Sequence, residues 1–149
     1  MNRIQTRSIP VLFLLASTLL SCGQADPQID FGKAECAHCR MNVVDKHFGA
    51  AITTQKGRQY VFDDISCMVQ YVEAGTVAED QVAGWHVCDH SSPGSLIDAT
   101  QAFYLHGPAF RSPMRGDVAA FRSIEERDRA FKEGSEPLDW KGARAVVVQ

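Results

Sequence analysis

The chain has 149 residues, 45% of them hydrophobic, with 15 basic and 18 acidic side chains and a formal charge of −3. That balance excludes nucleic acid as a partner, because phosphate binding requires a basic excess. The apolar content suffices for one ordinary domain or two small ones sharing a core.

The N-terminus comes first. Arg3 and Arg7 precede an apolar run from Ile9 to Leu20 that is too short to cross a bilayer as a stable helix, which is the pattern of a signal peptide over residues 1–21. The run ends in Leu19-Leu20-Ser21-Cys22, which resembles the lipobox of bacterial lipoproteins: cleavage leaves the cysteine as the new N-terminus, with diacylglycerol on its sulfur. A secretory signal with a chance cysteine is the plainer alternative. Acyl chains bury methylenes at roughly 0.8 kcal/mol each, so a lipidated Cys22 would hold the mature protein on the periplasmic face of a membrane. Residues 22–28 would then be the tether. Gly23 is not the aspartate that marks inner-membrane retention in many enteric bacteria, which leans toward the outer membrane. The mature chain would keep 128 residues, 13 basic and 18 acidic, and a charge of −5.

Four cysteines remain once Cys22 is assigned to lipid, namely Cys36, Cys39, Cys67 and Cys88. In an oxidising compartment an even set is first read as disulfides, with three pairings that spacing does not distinguish. The densest stretch is Cys36-Ala37-His38-Cys39-Arg40-Met41, which places two thiols, an imidazole and a thioether within six residues.

Beyond this knuckle, Phe48, Ala50 and Ile52 alternate with Gly49, Ala51 and Thr53 in a strand pattern that begins near Asn42. Gln55-Lys56-Gly57-Arg58 supplies a turn, and Tyr60-Val61-Phe62 returns as the partner strand of a β-hairpin. Asp63 or Asp64 caps a helix whose apolar residues Ile65, Met68, Val69 and Val72 fall at i, i+3, i+4 and i+7 before Gly75. Met68 then faces the core, and Cys67 is most simply a small buried residue. Val77 to Gly84 reads as a polar connection. Trp85 to Cys88, Leu96 to Ala99 and Ala102 to Leu105 read as strands, with a turn at Ser91-Ser92-Pro93-Gly94. A loop from His106 to Gly116 carries Met114 between Pro113 and Gly116, and Val118 to Phe121 resumes as a strand. Ser123 with Glu126 forms a capping box opening a charged helix expected to end near Gly134. Ala145-Val146-Val147-Val148 is expected to close the chain as a strand. Phe62 before the first helix matches Phe121 before the second, a degenerate internal repeat that would also set Met41 and Met114 in comparable loops.

Three chemistries compete for the knuckle. A thioredoxin-like redox pair would begin a helix after a buried strand, and Met41-Asn42-Val43-Val44 starts helices poorly. Structural zinc would need two ligands beyond Cys36 and Cys39, from Cys67, Cys88 or His38. Cu(I) accepts two or three soft donors, so Cys39, Met41 and one further sulfur would suffice. Met114, in a loop between proline and glycine among arginines, is a weaker candidate for core filler than most methionines. His38, His47, His86, His90 and His106 show no spacing of a catalytic metal helix, and no nucleophile elbow, phosphate loop or dinucleotide fingerprint occurs. An enzyme is not expected. A disulfide- or zinc-stabilised interaction lipoprotein is the alternative without copper.

Taken together, the chain resembles the NosL family, periplasmic lipoprotein accessory factors of nitrous oxide reductase. The resemblance rests on Cys22, on Cys36-x-x-Cys39-x-Met41, on Phe62-Asp63-Asp64-Ile65-x-Cys67-Met68, on Ile97-Asp98-Ala99 leading to Ala102-Phe103-Tyr104, and on Ser112-Pro113-Met114. It implies an α+β fold of two related ββαβ-like halves, here placed at residues 29–84 and 85–149. It also implies Cu(I) binding and delivery to nitrous oxide reductase with an ABC-type assembly complex, NosD, NosF and NosY. Carried over, Cys39 and Met41 are the first ligands, Met114 the third and Cys36 a further candidate. Ligands from two distant loops would place the ion in an exposed cleft between the halves. Arg40 and Arg115 stand where glycine is common after those motif positions.

Overall fold

The hairpin expected near residue 50 forms because two short apolar runs flank a turn whose third residue, Gly57, sits at φ 80°, a left-handed conformation that glycine adopts without steric cost. In the computed structural model, which describes residues 26–148, strand β1 (Ala50–Thr54) pairs antiparallel with β2 (Gln59–Phe62), Ala50 opposite Phe62. The signal peptide and Cys22 lie outside the described residues. Residues 42–49 do not extend the strand as expected; Asn42 makes an isolated bridge to Glu35, and a turn follows before Ala50. All five residues of β1 are buried, so the strand is central rather than half-solvated.

Helix α1 (Ile65–Glu73) follows, with Asp64 as its N-cap and Gly75 at φ 74° beyond its end. Strand β3 (Val82–Cys88) returns along the other edge of β1 with Ile52 opposite Trp85, and β4 (Leu96–Asp98) adds outside it. The first sheet therefore runs β2-β1-β3-β4. The expected division between residues 84 and 85 falls within β3.

The second half repeats this plan. Strand β5 (Phe103–His106) pairs with β6 (Val118–Phe121), helix α2 (Ile124–Ala130) follows, and β7 (Glu136–Leu138) lies on the other side of β5, giving the order β6-β5-β7. Both halves thus run strand, strand, helix, strand with the first strand in the centre, and Phe121 faces Phe103 at the corner that Phe62 and Ala50 occupy in the first. The fold is the expected α+β pair of related halves. The matching of Met41 with Met114 does not follow from it: Met41 precedes β1, whereas Met114 lies between β5 and β6.

Two further expectations are corrected. Helix α2 ends at Ala130, short of Gly134, because the chain must turn back for Glu136 to pair with His106, and Gly134 makes that turn at φ 82°. The C-terminal Ala145–Val148 is not a strand; Trp140–Val147 forms helix α3. Asp139 caps it, accepting from the Gly142 N–H at 2.7 Å. Its apolar face is Trp140, Ala143 and Val147 at i, i+3 and i+7. Trp140 packs on Trp85 at 5.5 Å between ring centroids, Arg144 pairs with Glu73 and Glu79 across to the first half, and the Gln70 side chain donates to the Val147 carbonyl at 2.9 Å. The valines would suit a strand locally, but these contacts outweigh that preference.

The halves share one core. Tyr104, Val118 and Ala120 of the second join Ile52, Phe62, Met68, Val69 and Val87 of the first, while Phe48 of the first packs with Leu105, Phe110 and Phe121 of the second.

Candidate metal centre

The knuckle is a closed loop held by its own backbone. The Cys36 N–H donates to the Met41 carbonyl at 2.8 Å and the Arg40 N–H returns to the Cys36 carbonyl at 3.0 Å. Arg40 closes the turn at φ 69°. The Cys39 N–H points at Cys36 Sγ, 3.5 Å away, and the Ala37 N–H donates to Val61 on β2 at 2.9 Å. The loop is therefore fixed to the strand that leads into α1.

That connection explains what reasoning from spacing missed. Two residues after β2, Asp64 caps α1 and places Cys67 in the first helical turn, its N–H donating to Asp64 Oδ1 at 3.0 Å. Cys67 is buried as expected, yet its sulfur also joins those of Cys36 and Cys39, all three within 4.8 Å of one another. Its position at the third residue after a helix cap was the available signal, since a first turn favours a thiolate. Cys36 and Cys67 are buried, whereas Cys39 is partly exposed, so the group opens to solvent on the Cys39 side.

The spacing fits a soft metal. Metal–sulfur bonds of about 2.3 Å in trigonal or tetrahedral arrangement require sulfurs roughly 3.8–4.0 Å apart, so a contraction of less than about 1 Å completes the site. The electrostatics prepare it. The Cys67 thiol donates to Cys36 Sγ, and with the backbone N–H groups around it this holds the Cys36 thiol far below its ordinary range against the opposing effect of burial. The same bond, with burial, pushes Cys67 up, and burial raises Cys39. The three sulfurs thus hold their protons unequally, Cys36 least tightly, and a bound cation would displace those that remain. All four described cysteines are free thiols.

A second piece of the site comes from the other half. The Asp64 carboxylate, 1% exposed, accepts at Oδ1 from the Ser66 hydroxyl at 2.6 Å as well as from Cys67, and at Oδ2 from the Ser112 hydroxyl at 2.7 Å and the Met114 N–H at 3.0 Å. One carboxylate thereby ties the helix turn that carries Cys67 to the Ser112-Pro113-Met114 loop. The loop closes on itself through Asp117, whose N–H donates to Ser112 Oγ at 3.0 Å, and Arg115 turns it at φ 62°. Arg40 and Arg115 are thus both left-handed, the conformation that glycine adopts without steric cost.

Of the residues expected to bind metal, Cys36 and Cys39 come together, and Cys67 joins them as a third sulfur. Met41 belongs to the same knuckle, and Met114 is tied to the same helix cap; their side chains are 47% and 37% exposed, so neither is committed to the core. Cys88 lies outside the group, its thiol pushed up to about 12 by burial. Among the described residues no histidine joins a group of three metal-ligating side chains. His47 and His90 meet as tilted rings, 5.0 Å between centroids, and with Phe48, Phe110 and Phe121 form an aromatic cluster. Beside the knuckle, Asp63 is buried with Oδ1 unpartnered; burial, with the charges of Cys36 and Asp64, raises its carboxyl to about 6.

Comparison with known proteins places this arrangement. No curated protein matches the chain. Among solved structures, the crystal structure of the copper chaperone NosL from Shewanella denitrificans superposes with a TM-score of 0.64, covering 80% of this chain and 95% of that one at 17% identity, which shows a shared fold. The NosL family model matches residues 29–135, from the segment before the knuckle through the first sheet, β5, β6 and α2 to the turn before β7, and on that extent the chain belongs to the NosL family.

Proposed function

We propose that the protein is a Cu(I) chaperone, anchored by lipid at Cys22 to the periplasmic face of a bacterial membrane, with the outer membrane favoured. The single observation that carries this reading is the open group of three sulfurs, Cys36, Cys39 and Cys67, with exposed thioethers nearby in sequence and in the fold. Thiolates and thioethers together favour a cuprous ion over harder metals. Cys36, Cys39 and Cys67 hold the ion, and Met41 and Met114 serve as exchange ligands on the exposed side, where an incoming donor displaces one sulfur at a time. A carrier must exclude solvent copper yet release its cargo, and burial on one side with exposure at Cys39 meets both needs. The protein makes and breaks metal–ligand bonds only, so it is not an enzyme.

Delivery to nitrous oxide reductase, with an ABC-type complex of NosD, NosF and NosY, is the destination that family membership suggests. The lipid anchor would raise the effective concentration near such membrane-bound partners. The test is anaerobic Cu(I) titration in competition with bicinchoninate, run beside zinc titration and thiol counting. One tightly held Cu(I), lost in Cys39→Ser with the circular dichroism spectrum unchanged, is expected. Retention of zinc but not Cu(I), or equal Cu(I) affinity in Cys39→Ser, overturns the proposal.

A further inference from the structure

The closeness that suits Cys36, Cys39 and Cys67 to a metal also suits them to one another, since thiols within 4.8 Å in an oxidising compartment exchange into disulfides unless something occupies them. Their surroundings differ. Cys67 is 1% exposed and sits in the first turn of α1, where its N–H donates to Asp64 Oδ1 at 3.0 Å. Cys36 is fully buried, and Cys39 alone of the three is partly exposed. An external disulfide can therefore reach Cys39 and neither of its neighbours.

Cys36 and Cys39 also share one turn. The Arg40 N–H closes it on the Cys36 carbonyl at 3.0 Å, and the Cys39 N–H points at Cys36 Sγ from 3.5 Å. A bridge between these two sulfurs stays within the knuckle, whereas a bridge to Cys67 would have to join the knuckle to α1. Cys39 is thus the sulfur that meets an incoming disulfide, and Cys36 is the sulfur placed in the same turn to displace the incoming group.

We infer that Cys36 and Cys39 cycle between dithiol and disulfide, so that reduction by a dithiol donor must precede copper loading. The inference rests on the Cu(I) reading and the periplasmic placement proposed above, and adds the reaction that comes before them. In the closing direction the Cys39 thiolate attacks an external disulfide, RSSR, and releases one RS⁻. The Cys36 sulfur then attacks the Cys39 sulfur of the mixed disulfide, forming the Cys36–Cys39 bond and releasing the second RS⁻. The two protons of the cysteines pass to the two leaving thiolates, and two electrons pass from the pair to RSSR. A dithiol donor runs the same exchange in reverse, entering at Cys39. The bridge takes two of the three sulfurs from the ion, and a bound Cu(I) in turn keeps both from attacking.

The test treats the reduced, metal-free full chain with glutathione disulfide under anaerobic conditions, alkylates the remaining thiols in denaturant and maps them by tryptic mass spectrometry. Cys36 and Cys39 share the peptide Ala34–Arg40, and Cys67 and Cys88 share Gln59–Arg111, so the two bridges read differently. Ala34–Arg40 should appear unalkylated and two hydrogens lighter, with Gln59–Arg111 alkylated at both cysteines. The oxidised protein should fail to hold Cu(I) against bicinchoninate until dithiothreitol restores it, and protein loaded with Cu(I) beforehand should keep all four thiols. Cys36→Ser should stop at a mixed disulfide on Cys39, whereas Cys67→Ala should still form the bridge. A bridge from Ala34–Arg40 to Gln59–Arg111, no bridge at all, equal oxidation of the Cu(I)-loaded protein, or undiminished Cu(I) binding by the bridged form overturns the inference while leaving the copper reading in place. Failure of the reduced protein to bind Cu(I) overturns the copper reading and the loading step with it, even where the bridge forms.

Discussion

Asp64→Ala is the most informative single perturbation, because four donors from both halves end on one carboxylate that is 1% exposed. Hydrogen bonds to a charged group contribute about 1.5–3 kcal/mol each, but the carboxylate also regains hydration on removal, so the four do not add. Loss of the helix cap alone costs about 0.5–2 kcal/mol. Stranding two backbone N–H groups and two hydroxyls at a buried site brings the expected total to about 3–5 kcal/mol. For a domain of this size that corresponds to a fall of roughly 10–20 °C in melting temperature. Asp64→Asn keeps the cap, since asparagine caps as well as aspartate, but presents an amide to the Met114 N–H, so about half the loss is expected. Differential scanning calorimetry of the metal-free protein measures both. A shift below about 3 °C in Asp64→Ala would refute the claim that this carboxylate joins the helix cap to the Met114 loop.

Other outcomes follow from the same geometry. Cys67→Ala should weaken Cu(I) retention in bicinchoninate competition by at least about tenfold, a loss of about 1.4 kcal/mol or more, whereas Cys88→Ala should leave it unchanged. Asp63 is raised in the folded state from 3.8 to about 6, so its contribution to stability is complete below pH 3.8 and is lost as pH rises through 6. Asp63→Asn should therefore unfold at higher urea than wild type at neutral pH, by up to about 3 kcal/mol, with the gain vanishing toward pH 3.8. Arg115→Gly removes the Cβ from a residue at φ 62° and should stabilise the protein by about 0.5–1 kcal/mol in urea denaturation. A destabilised Arg115→Gly would show that the side chain holds the loop.

Where local chemistry and tertiary packing agreed, the elements were legible. The hairpin around Gly57 and the helix capped at Asp64 are cases in which turn geometry, periodicity and capping all favour one structure. They disagreed at the C-terminus, where a run of β-branched residues suggests a strand and the Asp139 cap with the buried face of Trp140, Ala143 and Val147 selects a helix. Strand β7 was missed for a related reason: Glu136-Pro137-Leu138 has no strand pattern, and only pairing with β5 makes it one.

The site divides in the same way. The amino-acid sequence by itself determined the soft-donor chemistry, because Cys36, Cys39 and Met41 are neighbours along the chain and need no folding to be recognised together. It also determined the step from strand to capped helix that both halves share, with Phe62 and Phe121 ahead of the two helices, because capping residues encode it locally. Only the tertiary structure decided that the third sulfur of the group is Cys67, twenty-eight residues beyond Cys39. It also decided that Met114 reaches the same helix cap across fifty residues through Asp64. Both depend on how separate segments dock, and that docking is set by burial and by the pairing of buried polar groups summed over the whole core, quantities that no short stretch of sequence contains.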